Sequence, residues 1–277
     1  MKYSIFVLMC FLWACSPDNN TIKIKGSDTE VNLTVQLAES FHQTNSTVFV
    51  SISGGGSGLG IASLLNNTTD IANSSRSIKS QEIKLFQQNQ TPIDSFIFAQ
   101  DAIAFVVAKD LAIDSISTEN LANILSGKIK NWQPFIGKNT PINIYGRQSN
   151  SGTHDFVKQK LRVEFTPYAK QMSGNSQILE SIKIDHSGIG YVGAGYINHG
   201  NKGIKVLTIY DKDNPKAVSP LDSQMIAAEK YYFQRPLFQY YKSNAYQKIK
   251  PFLDFEKGVI GKKIIKSSGY YPVNIKL

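Results

Sequence analysis

Apolar positions along the chain alternate between two periods, and the switches come at short intervals. Ile22 to Lys25 alternates as a short strand, and Leu33, Leu37 and Phe41, with Thr34 and Ala38, fall at helical spacing. Val48 to Ile52 reads as a second strand, Gly58 to Asn66 as a helix and Asp70 to Ala72 as a strand. A helix over Ser80 to Gln88 is expected to be capped by Ser80. Ile93 to Ala99 and Ala102 to Ala108 are apolar and strand-like, and a short helix over Leu121 to Leu125 follows a cap at Ser117 or Thr118. Beyond them the pattern predicts a strand over Pro141 to Tyr145 and helices from Thr153 to Leu161 and Gln177 to Ile184. Gly188 to Val192, Ile204 to Ile209 and Pro236 to Tyr241 read as strands, and Ala245 to Phe255 and Gly258 to Lys266 as helices. Strands alternating with helices specify an α/β fold. With no internal repeat and no low-complexity linker, two domains would be joined by strands that cross between them.

Composition narrows the class. A chain of 277 residues with 42% hydrophobic content makes one large or two medium globular domains. The formal charge of +9 comes from 30 Lys and Arg against 21 Asp and Glu, scattered as Ile-Lys pairs such as Ile22-Lys23-Ile24-Lys25. No nucleic-acid motif accompanies that charge, so it is read as solvated faces and a mild field that draws small anions. Nothing in the chain has the spacing of a metal site or a cofactor motif. At the N-terminus, Lys2 precedes the apolar run Ile5 to Ala14, too short to span a bilayer and of the length of a secretory signal. Ala14-Cys15 followed by Ser16-Pro17-Asp18-Asn19-Asn20 resembles a bacterial lipoprotein signal, with Trp13 standing where such signals carry a small residue. The expectation is a signal peptide over residues 1–14, lipidation of Cys15 and a linker over 15–21. Cys10 and Cys15 are the only cysteines, so the folded part has no disulfide.

Four loops share one chemistry. Gly26-Ser27-Asp28-Thr29 follows the first strand, Ser53-Gly54-Gly55-Gly56-Ser57-Gly58 the second and Asn73-Ser74-Ser75-Arg76 the third. Gly146-Arg147-Gln148-Ser149-Asn150-Ser151-Gly152-Thr153 follows the strand ending at Tyr145. At least three run from strand through a Gly/Ser loop into a helix. Glycines let backbone N–H groups approach a ligand, and helix N-termini carry unpaired N–H groups at the positive end of the dipole. Together they build an anion site at the carboxyl ends of the strands. The second loop lacks the Lys-Ser/Thr pair of a nucleotide-binding P-loop. Ser151 is not in a nucleophile elbow, which leaves an esterase or phosphatase reading resting on Ser151 with His154 alone. A surface adhesin or sensor on the same scaffold is a third class.

Taken together, these loops resemble the phosphate-binding subunit of the bacterial phosphate ABC importer. The likeness extends to Gly188-Ile189-Gly190-Tyr191-Val192, Arg235-Pro236-Leu237 and Gly269-Tyr270-Tyr271-Pro272-Val273, and so spans nearly the whole mature chain. It implies a two-lobed periplasmic-binding-protein fold of the type II kind, with an anion cleft between lobes that close on a hinge of crossing strands. Lobe I is expected over 22–98 and 233–277, and lobe II over 99–232. It implies phosphate contacts from Ser27, Asp28, Thr29, Ser57, Ser75, Arg147, Ser151, Gly152 and Thr153, with Gly56 and Arg76 as further candidates. Many members place a ligand carboxylate in the third loop, where this chain has Ser75 then Arg76. Which acid meets the phosphate proton is therefore open, with Asp28 the candidate, and Arg76 either touches the anion or supports its loop. The implied partners are inorganic phosphate, an ABC permease and a membrane reached through the lipid anchor, in the periplasm or at the cell surface.

Overall fold

The computed structural model describes residues 20–197, 202–213 and 215–273. The expected signal segment, Cys10, Cys15 and His199 lie outside them. The elements in chain order are β1 (Thr21–Gly26), α1 (Val31–Thr44), β2 (Phe49–Ser53), α2 (Ser57–Leu65), β3 (Ile71–Ser74), α3 (Ser80–Gln88) and β4 (Ile93–Ala108). Next come β5 (Ser115–Ser117), α4 (Thr118–Leu125), α5 (Gln133–Ile136), β6 (Asn143–Arg147), α6 (Gly152–Leu161), β7 (Lys170–Met172), α7 (Asn175–Ile184) and β8 (Gly188–Gly193). The chain continues through β9 (Ile204–Val206), β10 (Thr208–Tyr210), α8 (Ser223–Ala227), β11 (Gln234–Lys242), α9 (Tyr246–Lys257), α10 (Val259–Ser267) and β12 (Tyr271–Pro272).

Two parallel half-sheets meet on a pair of antiparallel strands. The strand order is β2-β1-β3-β11-β4-β8-β6-β7, with β9 and β12 also on β4. β1 pairs parallel with β2 and β3 on one side, and β6 pairs parallel with β7 and β8 on the other. β11 is antiparallel to both β3 and β4, and β4 is antiparallel to β8, so β4 and β11 carry the chain between the halves. The apolar core is divided accordingly. One cluster joins Ile22, Leu33, Leu37, Phe41, Phe252 and Leu253, and another joins Phe105, Leu121, Trp132, Val157, Tyr191 and Phe233. Helix α1 shows how the pattern produces this. Leu33, Leu37 and Phe41 lie four apart on one face and are at most 2% exposed. Each such side chain contributes about 1.5–3 kcal/mol through burial.

Three sequence expectations change in the structure. Ile93 to Ala108 is one strand rather than two, because Asp101, midway along it, is neutralised by Arg235 at the facing register position of β11. Ile204 to Ile209 is two strands. β9 pairs with β4 and β10 with β5 in a separate small sheet, and Leu207 between them donates its N–H to Phe105. Helix α3 is capped from Lys79, not Ser80, and the Glu82 carboxylate accepts the Lys79 N–H at 2.8 Å. The Ser117 cap of α4 holds, its hydroxyl accepting from Asn120 N at 3.1 Å.

Candidate functional site

The four Gly/Ser loops converge in the cleft, two helix N-termini facing one another across it. In the first loop, Gly26 has φ +144°, and a Cβ there would run into the Asn73 carbonyl, so the turn out of β1 needs glycine. The Ser27 N–H donates to that carbonyl at 2.9 Å. Tyr196 donates its hydroxyl to the Asp28 carbonyl at 2.6 Å, and Tyr270 donates to the Thr29 carbonyl at 2.5 Å. Opposite, Ser151 caps α6 by accepting from Thr153 N at 3.2 Å, which leaves its hydroxyl hydrogen free to donate. Gly152 follows as the first helical residue, its N–H among those a helix cannot satisfy internally.

The hydroxyls brought together are deeply buried: Ser27, Thr29, Ser57, Ser75, Ser151 and Thr153 are all 2% exposed or less. Ser27 Oγ donates to Ser75 Oγ at 3.0 Å, and Ser57 Oγ accepts the Ser75 N–H at 3.1 Å. Thr29 Oγ1 and Thr153 Oγ1, from opposite sides of the cleft, lie 3.0 Å apart. Gly152 is wedged between Ser57 and Ser75. Other bonds also span the cleft: Gly58 N to Asn150 O at 3.0 Å and Asn150 Nδ2 to Gly55 O at 2.9 Å.

Charge enters through Arg147, at the C-terminal end of β6 and 2% exposed. Its Nη2 donates to the Ser173 carbonyl at 2.8 Å, and Nη1 lies 3.3 Å from Asp28 Oδ2 without hydrogen-bond alignment. Nε and Nη1 are buried with no hydrogen-bond partner among the described residues. Burial pushes the Arg147 guanidinium below its ordinary pKa, and the Asp28 carboxylate opposes the shift. Asp28 accepts from Asn175 N at 2.9 Å and Asn175 Nδ2 at 2.8 Å, both on the same Oδ2.

Two expected candidates have other partners. The Gly56 N–H donates to the Gly26 carbonyl at 2.8 Å, and a Cβ on Gly56 would stand 2.9 Å from the Asn150 carbonyl across the cleft. Gly56 therefore serves the close approach of the two sides. Arg76 is paired with Glu82 at 2.6 and 2.8 Å, donates to the Ser77 carbonyl and reaches Asp155 at 3.5 Å. It supports its loop and bridges the cleft. The serine–histidine pairing of the enzyme reading is not formed. Ser151 accepts the Thr153 N–H, and His154 sits edge-on against Phe165 with ring centroids 4.8 Å apart, its pKa lowered first by burial.

Sequence reasoning missed Asp101, Asn175 and Tyr196, and it gave Arg235 no role beyond its place in a matching segment. Asp101 left one signal, a lone carboxylate in the apolar run from Phe96 to Val107.

A family model described as a PBP superfamily domain matches residues 14–256. The phosphate-binding protein PstS of Staphylococcus saprophyticus is 30% identical, over 87% of this chain and 76% of that protein. This chain belongs to the PBP superfamily and to its PstS family. The PstS of Borreliella burgdorferi is 27% identical over 97% of both chains. Among solved structures, an ABC-type phosphate transport receptor from Vibrio cholerae matches with a TM-score of 0.71 and 27% identity, over 91% of this chain and 100% of that one. A Clostridium perfringens protein with bound phosphate matches with a TM-score of 0.82, over 92% of this chain and all of that one. At 22% identity that likeness speaks for the two-lobed fold.

Proposed function

We propose that this PstS-family chain binds inorganic phosphate in the cleft, outside the cytoplasmic membrane, and delivers it to the permease of an ABC importer. The observation that carries the reading is Arg147, a buried guanidinium whose Nε and Nη1 make no hydrogen bond among the described residues, beside converging hydroxyls. An unpaired buried donor costs about 1–3 kcal/mol, more when charged, and a tetrahedral oxyanion removes that cost. The names of the relatives point to the same ligand.

In this reading the linked hydroxyl pairs Ser27–Ser75 and Thr29–Thr153 each donate the hydrogen their mutual bond leaves over, Ser57 and Ser151 donate theirs, Gly152 donates its N–H, and Arg147 makes the charge-assisted contact. Asp28 selects. Its known contacts all fall on Oδ2, which leaves Oδ1 to accept a P–OH. Phosphate keeps a proton at neutral pH and sulfate does not. A carboxylate facing sulfate would oppose two acceptors in a dry cleft. Contacts from both sides shift an open–closed equilibrium toward the closed form. The lobes are taken as 22–98 with 233–277, and 99–232. A lipid on Cys15 would hold the protein at the membrane, in the periplasm or at the cell surface. The role is binding rather than catalysis, and turnover of a chromogenic phosphate ester, lost on Ser151→Ala, would contradict it.

The direct test is calorimetry on the chain from Ser16 onward, stripped of anion, with phosphate and then sulfate titrated in. One-to-one phosphate binding without a sulfate response is expected. Silence toward both would move the adhesin and enzyme readings forward.

A further inference from the structure

Arg235 touches three of the four loops. It lies on β11 opposite Asp101 of β4, on the two strands that run between the halves. Its side chain is 1% exposed and that of Asp101 is 0% exposed. Nε and Nη2 donate to Asp101 Oδ2 at 3.1 and 2.8 Å. Nη1 donates to the Ser75 carbonyl at 3.0 Å. Nη2 also lies 3.2 Å from Thr29 Oγ1 and 3.1 Å from Thr153 Oγ1.

A terminal guanidinium nitrogen has two hydrogens. Here one goes to Asp101, and the other is shared by the two threonine oxygens. Each hydroxyl has two lone pairs and one hydrogen. The Thr29–Thr153 bond uses the hydrogen of one hydroxyl, and the shared Arg235 hydrogen occupies a lone pair on each, so the linked pair keeps one hydroxyl hydrogen to offer a third group. Asp101 balances the charge, so the cleft gains donor polarity without net charge.

Resting on the phosphate reading above, we propose that Arg235, held by Asp101, is a positioning residue for anion binding. It holds the linked Thr29 and Thr153 hydroxyls so that the hydrogen left over from their mutual bond is directed to the anion, without touching the anion itself. Because the two threonines come from opposite sides of the cleft and Arg235 from a connecting strand, the same contact ties anion binding to closure.

A double-mutant cycle tests this on the full chain, with inorganic phosphate titrated calorimetrically. One arm replaces the ion pair by neutral amides, Arg235→Gln with Asp101→Asn, so that no lone charge stays buried. The other arm is Thr29→Val with Thr153→Val, and the fourth protein combines all four substitutions. The amide pair is expected to raise Kd about tenfold or more in the native background and about twofold or less in the valine background. Arg235→Lys keeps a cation for Asp101 but has one nitrogen, and must show the same dependence on background, which covers the case where the amide pair does not fold. An equal loss in both backgrounds, or native affinity in the amide pair, overturns the proposal. If the unmutated chain binds no phosphate, both the proposal and the reading beneath it fail. An intact phosphate response with a flat cycle removes the proposal alone.

Discussion

Gly152→Ala separates lobe stability from ligand binding. Gly152 is the first residue of α6 and has no left-handed φ, so its backbone accepts alanine. In a helix the change is worth up to about 1 kcal/mol in favour of alanine, so the fold around α6 should hold or gain. The added Cβ, however, would stand 2.5 Å from Ser75 Oγ, closer still to Ser57 Oγ, and 3.1 Å from Ser57 Cβ. A relaxed contact needs about 3.5 Å. The hydroxyls could rotate away, but they would then leave the anion cradle, and Ser57 Cβ would still be too near. Alternatively the two sides separate by about 1 Å, which takes a bond of about 2.8 Å beyond hydrogen-bonding range. Either way at least two donors to a charged ligand are lost, at about 1.5–3 kcal/mol each. The expected loss of phosphate affinity is on the order of 100-fold or more. Calorimetry gives Kd, a thermal melt without phosphate gives stability, and small-angle scattering with and without phosphate gives closure. The expected set is an unchanged or higher melting temperature, weakened binding and reduced phosphate-induced compaction. Native affinity in Gly152→Ala would refute the placement of the anion between α6 and the Ser57 and Ser75 hydroxyls. Weak binding with a clearly lowered melting temperature would assign the loss to unfolding instead.

Asp28→Asn should weaken phosphate and admit sulfate in competition titrations, and a variant that still excludes sulfate fully would place the discriminating acid elsewhere. Arg147→Ala should cost more than about 2 kcal/mol of phosphate binding by calorimetry, since it deletes a buried charge-assisted contact, whereas a tenfold loss or less would make the residue peripheral. Asp155→Asn removes the ion pairs to Lys79 at 3.0 Å and Arg76 at 3.5 Å across the cleft; with Lys79 partly exposed, affinity should fall only a few-fold at low salt, and the difference should shrink when salt is raised. Glu256, buried and bonded to Gln239 at 3.0 Å, has its carboxyl pushed by burial from 4.5 to about 8. Its folded pKa lies above its unfolded one, so its contribution to stability is fully present below about 4.5 and is lost as pH rises through about 8, with a limiting slope of about 1.4 kcal/mol per pH unit. Denaturant melts between pH 5 and 8 should show a shallower decline for Glu256→Gln than for the native chain, and parallel curves would contradict the assignment.

The parts of the site that were legible in the sequence are those whose chemistry is local. A Gly/Ser loop between a strand and a helix states its function within a few residues, because the turn, the cap and the exposed N–H groups all depend on near neighbours. The loops holding Ser57, Ser151, Gly152 and Thr153 could be picked out that way, while the choice of those residues as phosphate contacts came from the family resemblance. The short pieces β5, α5, β7, α8 and β12 left no periodic trace, being too brief for either pattern to repeat. What stayed hidden is what depends on sequence separation. The Asp101 to Arg235 pair spans 134 positions and the Asp28 to Asn175 bond 147, and the local pattern around Asp101 or Asp28 does not name the distant partner. The single strand over Ile93–Ala108 is the instructive case. An aspartate in an apolar run breaks a strand by propensity and by the cost of burying charge. The run continues here because an arginine on the facing strand neutralises it. The local exception and the distant partner are therefore one feature: a charge placed against the grain of a strand points to a partner across the sheet. In this chain that partner lies against the two threonines at the centre of the cleft.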